Sequence, residues 1–370
     1  MIAPRPELLA TPLAYHGGRH ALGDHVRLVK HDFSVCLNAY GPCDAVRDAA
    51  VRARLDEYPD PECLAPRRAA AERWTRPIDE IAFGAGAAEL IFAVCFAYLR
   101  AGDTLLIAGP AFGEYERAAR LCGARVITVL GAATTFRAEV EHLRPRLAFL
   151  CSPNNPSGAC VALDALAALA DSCTRCDTLL VLDQSYDAFA ERPTGTPALR
   201  AHPSVLHLRS LTKEHAIAGV RAAFAVGPAG VIAAIEHARV PWLASSAAQG
   251  AAVATMTDAA NGHAERTVAL LRSSAASLAD DCRRIGYDAR RSETHFFLIR
   301  VGDAARAREV LLRTSGILVR DCTSFGLPDS VRVAARTPEE NDVLLAALGA
   351  ADLAPFRTLA ATTFSPTKHD

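Results

Sequence analysis

Five short strings of this 370-residue chain hold residue types that can do chemistry together. Ser210-Leu211-Thr212-Lys213, followed by Arg221, sets a primary amine beside two hydroxyls and a guanidinium. A lysine amine condenses with an aldehyde to an imine, while hydroxyls and an arginine fork suit a phosphate dianion. Read singly, such a lysine is more often a solvated loop residue. Gly84-Ala85-Gly86-Ala87-Ala88-Glu89 opens a helix on small residues, so backbone N–H groups face whatever lies beyond its start. Close helix packing is the alternative there. Pro110-Ala111-Phe112-Gly113-Glu114-Tyr115 offers an aromatic face at Phe112, either for a planar ring or for the core. Ser152-Pro153-Asn154-Asn155-Pro156-Ser157-Gly158 offers amide donors in what is also good turn chemistry. Asp183-Gln184-Ser185-Tyr186 sets a carboxylate three residues from a phenol, although an aspartate so placed is commonly a helix cap.

Each string follows a run that reads as a strand. Between about residues 80 and 230, short aliphatic runs alternate with segments of helical period, the pattern of parallel strands joined by helices. The expected strands are Glu80 to Phe83, Thr104 to Ala108, Arg125 to Leu130, Leu147 to Cys151, Thr178 to Asp183, Val205 to Ser210 and Ala222 to Val226. The helix after the first of them places Leu90, Val94 and Tyr98 on one face with Ile91 and Cys95 beside them, suited to packing on a sheet. After about residue 245 the pattern turns to a long helical region through Arg284, then strands at His295 to Arg300, Gly316 to Arg320 and Val331 to Ala334. That order predicts a second α+β domain.

The five strings, in this order and at strand ends across about 140 residues, resemble the class I and II aminotransferases, which carry pyridoxal 5'-phosphate as a Schiff base. The resemblance implies an α/β fold of type I: a three-layer, aspartate-aminotransferase-like large domain with a mostly parallel seven-stranded sheet, and a smaller α+β C-terminal domain. On that reading residues 1–40 form an N-terminal arm or small-domain segment, 41–245 the cofactor domain, 246–355 the small domain and 356–370 a tail. Lys213 then carries the cofactor. Ser210, Thr212, Arg221 and the backbone of Ala85, Gly86 and Ala87 hold its phosphate; Phe112 stacks on its ring; Asn155 and Tyr186 bond the ring oxygen; and Asp183 pairs with the ring nitrogen.

Further strings resemble histidinol-phosphate aminotransferase and threonine-phosphate decarboxylase, over nearly the whole chain. They are His16-Gly17-Gly18, Asp32-Phe33-Ser34, Asn38-Ala39-Tyr40-Gly41-Pro42 and Tyr58-Pro59-Asp60-Pro61. By this likeness Tyr58 reaches the phosphate of a neighbouring subunit, so a homodimer is expected, with Asn38 and His16 near the substrate. Val319-Arg320-Asp321 and Val331-Arg332-Val333 resemble two arginine strands, Arg332 grasping the substrate carboxylate and Arg320 lying near a second anion. A solvated strand arginine is the other reading of each. Two departures stand out, Gln184 where Glu is frequent and Glu214-His215 after the lysine; both bear on substrate choice.

Composition narrows the partners. Forty basic and forty-one acidic residues without a long single-sign run give no nucleic-acid track, and the start of the chain lacks a signal-peptide core. No run of eighteen uncharged apolar residues occurs, and eleven cysteines show no framework spacing. A cytoplasmic enzyme without a metal is expected, its partner a small amino substrate. The reaction expected is transamination of an α-amino acid or amino phosphate, with α-decarboxylation the alternative. A non-catalytic sensor fused to a DNA-binding domain is disfavoured, since about eighty residues precede the first sheet strand and hold no basic recognition helix.

Overall fold

The computed structural model describes residues 2–192 and 194–357. Within them the chain forms two compact units, the first comprising the N-terminal residues to Ala14, Gly41–Asn154 and Cys160–Arg266, the second Tyr15–Tyr40, Asn155–Ala159 and the chain from Thr267 onward. The arm expected over residues 1–40 therefore divides between the units, and the first unit runs past the expected boundary at 245 to Arg266.

The first unit is built on seven strands, β1 (Ile81–Gly84), β2 (Thr104–Gly109), β3 (Arg125–Leu130), β4 (Leu147–Cys151), β5 (Leu179–Asp183), β6 (Val205–Ser210) and β7 (Ala223–Val226). Their order is β1-β7-β6-β5-β4-β2-β3, with β7 antiparallel to both neighbours and the remaining pairs parallel. Every residue of β4 and β5 is buried, as their unbroken apolar runs require of central strands covered on both faces.

Alternation along β4 separates the layers. Leu147 and Phe149 face α1 (Ala87–Tyr98), α2 (Gly113–Leu121) and Ala229–Ala238, whereas Ala148 and Leu150 face Ala133–Leu143 and Leu163–Arg175. A third cluster packs Phe83 and Phe224 against helices Asp44–Val51, Leu64–Trp74 and Ser246–Thr255. In α1 Leu90, Ile91, Val94 and Cys95 are buried, as the helical period requires.

The second unit holds a four-stranded antiparallel sheet ordered Arg320–Asp321, Ser330–Ala334, Phe296–Arg300, Asp288–Ala289. The strand expected at Gly316 to Arg320 is two pieces: Ile317–Leu318 pairs in parallel with His31–Asp32, and Arg320–Asp321 joins the larger sheet. Val319 is the crossover, so one apolar run serves two sheets. At the far end, residues 351–357 form a 3-10 helix with Phe356 buried, and the rest of the expected tail lies outside the described residues.

Candidate active site

In the first unit the carboxyl ends of adjacent parallel strands gather most of the expected residues, the end of such a sheet where ligands bind. Asp183 closes β5, Ser210 closes β6, and Lys213 follows in the turn. The Lys213 Nζ lies 6.0 Å from the centre of the Tyr186 ring, and Tyr186 is itself buried. Short turns after two neighbouring strands thus bring an amine and a phenol to one place.

Asp183 is 4% exposed, and each oxygen of its carboxylate accepts a hydrogen bond from its own unit. Ser185 N donates to Oδ1 at 2.8 Å and the Tyr115 hydroxyl donates to Oδ2 at 2.5 Å. Phe112 precedes α2 as its N-cap, with its ring 5.8 Å from that of Tyr115 and at 84° to it.

Around the start of α1 the small residues have a steric reason. Gly86 sits at φ +94, a conformation that favours glycine, and a Cβ there would fall 2.5 Å from Arg221 Nη2, so the guanidinium would have to shift. No side chain caps this helix, while the Ser210 and Thr212 hydroxyls bond each other at 2.7 Å. Helix N–H groups, two hydroxyls and an arginine are the donor set of a phosphate site, and the residues present fit such a group. Ala85 differs from expectation: its N–H donates to Glu89 Oε2 at 3.1 Å. Glu89 in turn is clamped by Arg239, 150 residues away in sequence, at 2.8 Å and 3.3 Å. That clamp fixes the helix start and gave no signal in the sequence.

Tyr58 stands apart, 85% exposed, its ring 5.4 Å from that of Trp242. A cavity of about 420 Å3 lined by Cys63, Arg67, Glu236 and Arg239 lies elsewhere in this unit, and none of the expected site residues lines it.

The second unit holds Asn155, Asn38, His16, Arg320 and Arg332. Arg332 is buried and donates to Ser34 O at 2.8 Å and to Asn155 Oδ1, with its guanidinium 5.5 Å from the Phe296 ring centre. Because Oδ1 of Asn155 accepts from Arg332, the amide is turned so that Nδ2 is its remaining donor. Arg320 is Arg332's direct partner across the antiparallel pair. It is not the solvated residue that remained possible from sequence: it is buried between the Tyr15 and Phe325 rings, 4.4 Å and 5.0 Å from their centres. It donates to Asp321 O, Tyr15 O and Ser324 Oγ, all neutral acceptors. Burial first, and the charge of Arg332 second, press its pKa below the ordinary value. Asn38 is buried on Thr267 Oγ1 at 2.7 Å, whereas His16 is exposed.

Tyr115 was read only as the end of an aromatic string. Its placement three residues after Phe112, on the first turn of α2, was the available signal for a role beside the same ligand.

Residues 30–348 match the family model described as aminotransferase class I and II. The histidinol-phosphate aminotransferase of Symbiobacterium thermophilum is 35% identical over 322 residues, covering 85% of this chain and 88% of that protein. Among solved structures, L-threonine-O-3-phosphate decarboxylase from Porphyromonas gingivalis has a TM-score of 0.78 at 25% identity, covering 86% of this chain and 98% of its own. Histidinol-phosphate aminotransferase from Sinorhizobium meliloti, solved in complex with pyridoxal-5'-phosphate, has a TM-score of 0.83 at 23% identity, covering 93% and 96%, and so shares the fold. With its strand-end motifs in family order and this match over most of its length, the chain belongs to the class I and II aminotransferases, the pyridoxal-phosphate-dependent family that its sequence resembles.

Proposed function

We propose that this aminotransferase attaches pyridoxal phosphate through Lys213 and transaminates a small amino substrate carrying two anionic groups, such as an α-amino acid with a second acid or a phosphate. The observation that carries it is the gathering of Lys213, Tyr186, Asp183, Ser210 and Thr212 at one end of two neighbouring parallel strands. When bound, the cofactor supplies an electron sink for the α-carbon of the substrate.

The chain's own residues do the rest. Ser210, Thr212, Arg221 and the N–H groups of Gly86 and Ala87 hold the phosphate, and Phe112 covers the ring. Asp183 would face the ring nitrogen and Tyr186 would donate to the ring oxygen, a role that the resemblance gives Asn155 Nδ2 as well. Lys213 would hold the cofactor and its free amine would serve as the base that moves a proton from the α-carbon. Arg332 orients the carboxylate, which decides whether a proton or carbon dioxide departs. Two buried arginines directly opposed across a strand pair repel each other, and anions supplied by a substrate relieve that repulsion. Their opposition favours a doubly anionic substrate. Transamination is preferred over decarboxylation because the 35% identical relative is named as an aminotransferase.

Tyr58 is proposed to act in the partner subunit of a homodimer. Val51, Leu55, Tyr58, Val240, Trp242 and Leu243 are exposed large apolar residues from two segments that touch through the Tyr58 and Trp242 rings, and a face of that kind is commonly covered by another protein surface. The cytoplasm is the proposed compartment, since all eleven cysteines are free thiols.

Of the two departures from the family pattern, Gln184 is committed to packing: its amide donates to Thr194 Oγ1 at 2.9 Å and pairs with His207 Nδ1 at 2.9 Å. Glu214 is different. Its side chain is 14% exposed, and burial, opposed by Arg209 and aided by Asp187, pushes its carboxyl up to about 7. His215, 3.8 Å away, is pushed down to about 4, by burial first and His263 second.

Four outcomes are expected. Purified protein given pyridoxal phosphate turns yellow, borohydride fixes the adduct at Lys213, and Lys213→Ala abolishes both; with a transaminated substrate pyridoxamine phosphate accumulates in a single turnover. Release of carbon dioxide with the yellow form retained would reject transamination. Arg332→Lys loses a planar fork worth about 1.5 to 3 kcal/mol, so kcat/KM for the doubly anionic substrate should drop by about 10- to 100-fold; an unchanged value removes Arg332 from recognition. Light scattering should give twice the 39.3 kDa chain mass, and a monomer would sink the shared-site reading.

The fourth concerns pH. A carboxyl raised on folding binds its proton more tightly in the folded state, so its contribution to stability is lost as pH rises from about 4.5 to about 7. The stability of Glu214→Gln relative to the parent should therefore climb through that window by about 1 to 3 kcal/mol and level off above it. A difference that is flat in denaturant titrations across the window would show that Glu214 is solvated.

A further inference from the structure

We propose that Tyr115 is a positioning residue for the cofactor ring: its hydroxyl orients the Asp183 carboxylate and keeps the proton shared by that carboxylate and the ring nitrogen on the nitrogen. The inference rests on the reading that Asp183 faces the ring nitrogen.

Tyr115 is fully buried, and a buried phenol must spend its hydrogen on an acceptor. Here the acceptor is Asp183 Oδ2 at 2.5 Å, a separation at the short end for an O–H donor on a carboxylate. The ring is locked by stacking on Phe149, centroids 4.7 Å apart and planes 21° from parallel, so the hydroxyl has little freedom to leave. The other edge of the ring meets Phe112 at 84°. One side chain therefore contacts both the residue proposed to cover the cofactor ring and the residue proposed to face its nitrogen.

The titratable groups around the hydroxyl are Asp183 from β5 and Cys151 from the end of β4, and Cys151 is the register partner of Asp183. Burial first, then the charge of Asp183, then Cys151, raise the Tyr115 pKa well above the ordinary range, so the phenol remains a donor throughout the working pH range. A hydrogen bond donated to a carboxylate lowers its affinity for a further proton. With Ser185 N on Oδ1 and Tyr115 on Oδ2, both oxygens of the carboxylate are held by donors of fixed direction. A ring that keeps that proton withdraws more electron density from the imine nitrogen, which then titrates at lower pH.

The test uses the reconstituted enzyme and reads the pH midpoint of its visible band and the dissociation constant for pyridoxal phosphate. Tyr115→Phe keeps the ring and its stacking and removes only the hydroxyl. The midpoint should move up by about half a pH unit or more and the cofactor should bind several-fold more weakly. In the Asp183→Asn background the same substitution should change neither, because the two residues act as one unit. 3-Fluorotyrosine placed at position 115 strengthens the donor and should move the midpoint down, which keeps the test decisive should the phenylalanine variant fold poorly. An unmoved midpoint, or an equal effect with and without the Asp183 carboxylate, overturns the inference. A parent protein that takes up no pyridoxal phosphate overturns the cofactor reading and this inference together, whereas normal uptake with an unmoved midpoint overturns this one alone.

Discussion

A carboxylate buried at the end of a central strand is the constraint around which the first unit is arranged. Removing a carboxylate from water costs several kcal/mol unless donors replace the water, so Asp183 requires an N–H and an O–H at fixed places. The parallel sheet provides those places. Register sets Cys151 opposite Asp183, Ser152 N then bonds Asp183 O at 3.0 Å, and the chain beyond β4 is turned at the same edge. Ser185 N and the Tyr115 hydroxyl complete the shell from two further segments. With the carboxylate held, the residues one strand along, Ser210 to Lys213, begin at a defined height on the same edge.

The strands were legible because a central strand in a doubly covered sheet must be apolar on both faces, and such runs stand out between polar helices. Arg125–Leu130, Leu147–Cys151 and Val205–Ser210 begin and end where the sequence predicts. Chemistry-bearing strings at the ends of those runs were legible for the same reason, since strand ends are where a parallel sheet exposes side chains to a ligand. What escaped were contacts between segments far apart. The Arg239 clamp on Glu89 spans 150 residues, and Arg239 lies in no motif. The pairing of His31–Asp32 with Ile317–Leu318 is too short to leave a period. Tyr115 was visible as a residue but not as a donor, because a tyrosine on the buried face of an amphipathic helix reads as packing.

In the second unit the same limit takes another form. Sequence places Arg320 and Arg332 on strands, but only register reveals them as direct partners. Like charges so placed are unfavourable, and the fold tolerates them by giving each cation different company. Arg320 is held between two aromatic rings and Arg332 lies beside the Phe296 ring, while backbone carbonyls, Ser324 Oγ and Asn155 Oδ1 take their N–H groups. Gly17 belongs to this arrangement, since a Cβ there would sit 3.1 Å from Arg320 Cδ and 3.0 Å from Ser34 O. The glycine of an N-terminal string thus has a packing reason that lies some 300 residues along the chain.

The loop after Lys213 carries backbone strain. Ala216 at φ +53 and Arg221 at φ +64 are both non-glycine residues in the left-handed region, each strained by about 1 to 3 kcal/mol. Strain of that size persists only where the surroundings enforce it. Here Ile217 N bonds Thr212 O at 3.2 Å and Val220 N bonds Ile217 O at 3.0 Å, while Leu211 and Ile217 are buried. The Arg221 guanidinium lies where a Cβ on Gly86 would fall, and the Glu89–Arg239 pair holds the N–H of Ala85 beside it. The strained arginine, the bare glycine and the buried ion pair therefore meet at the start of one helix.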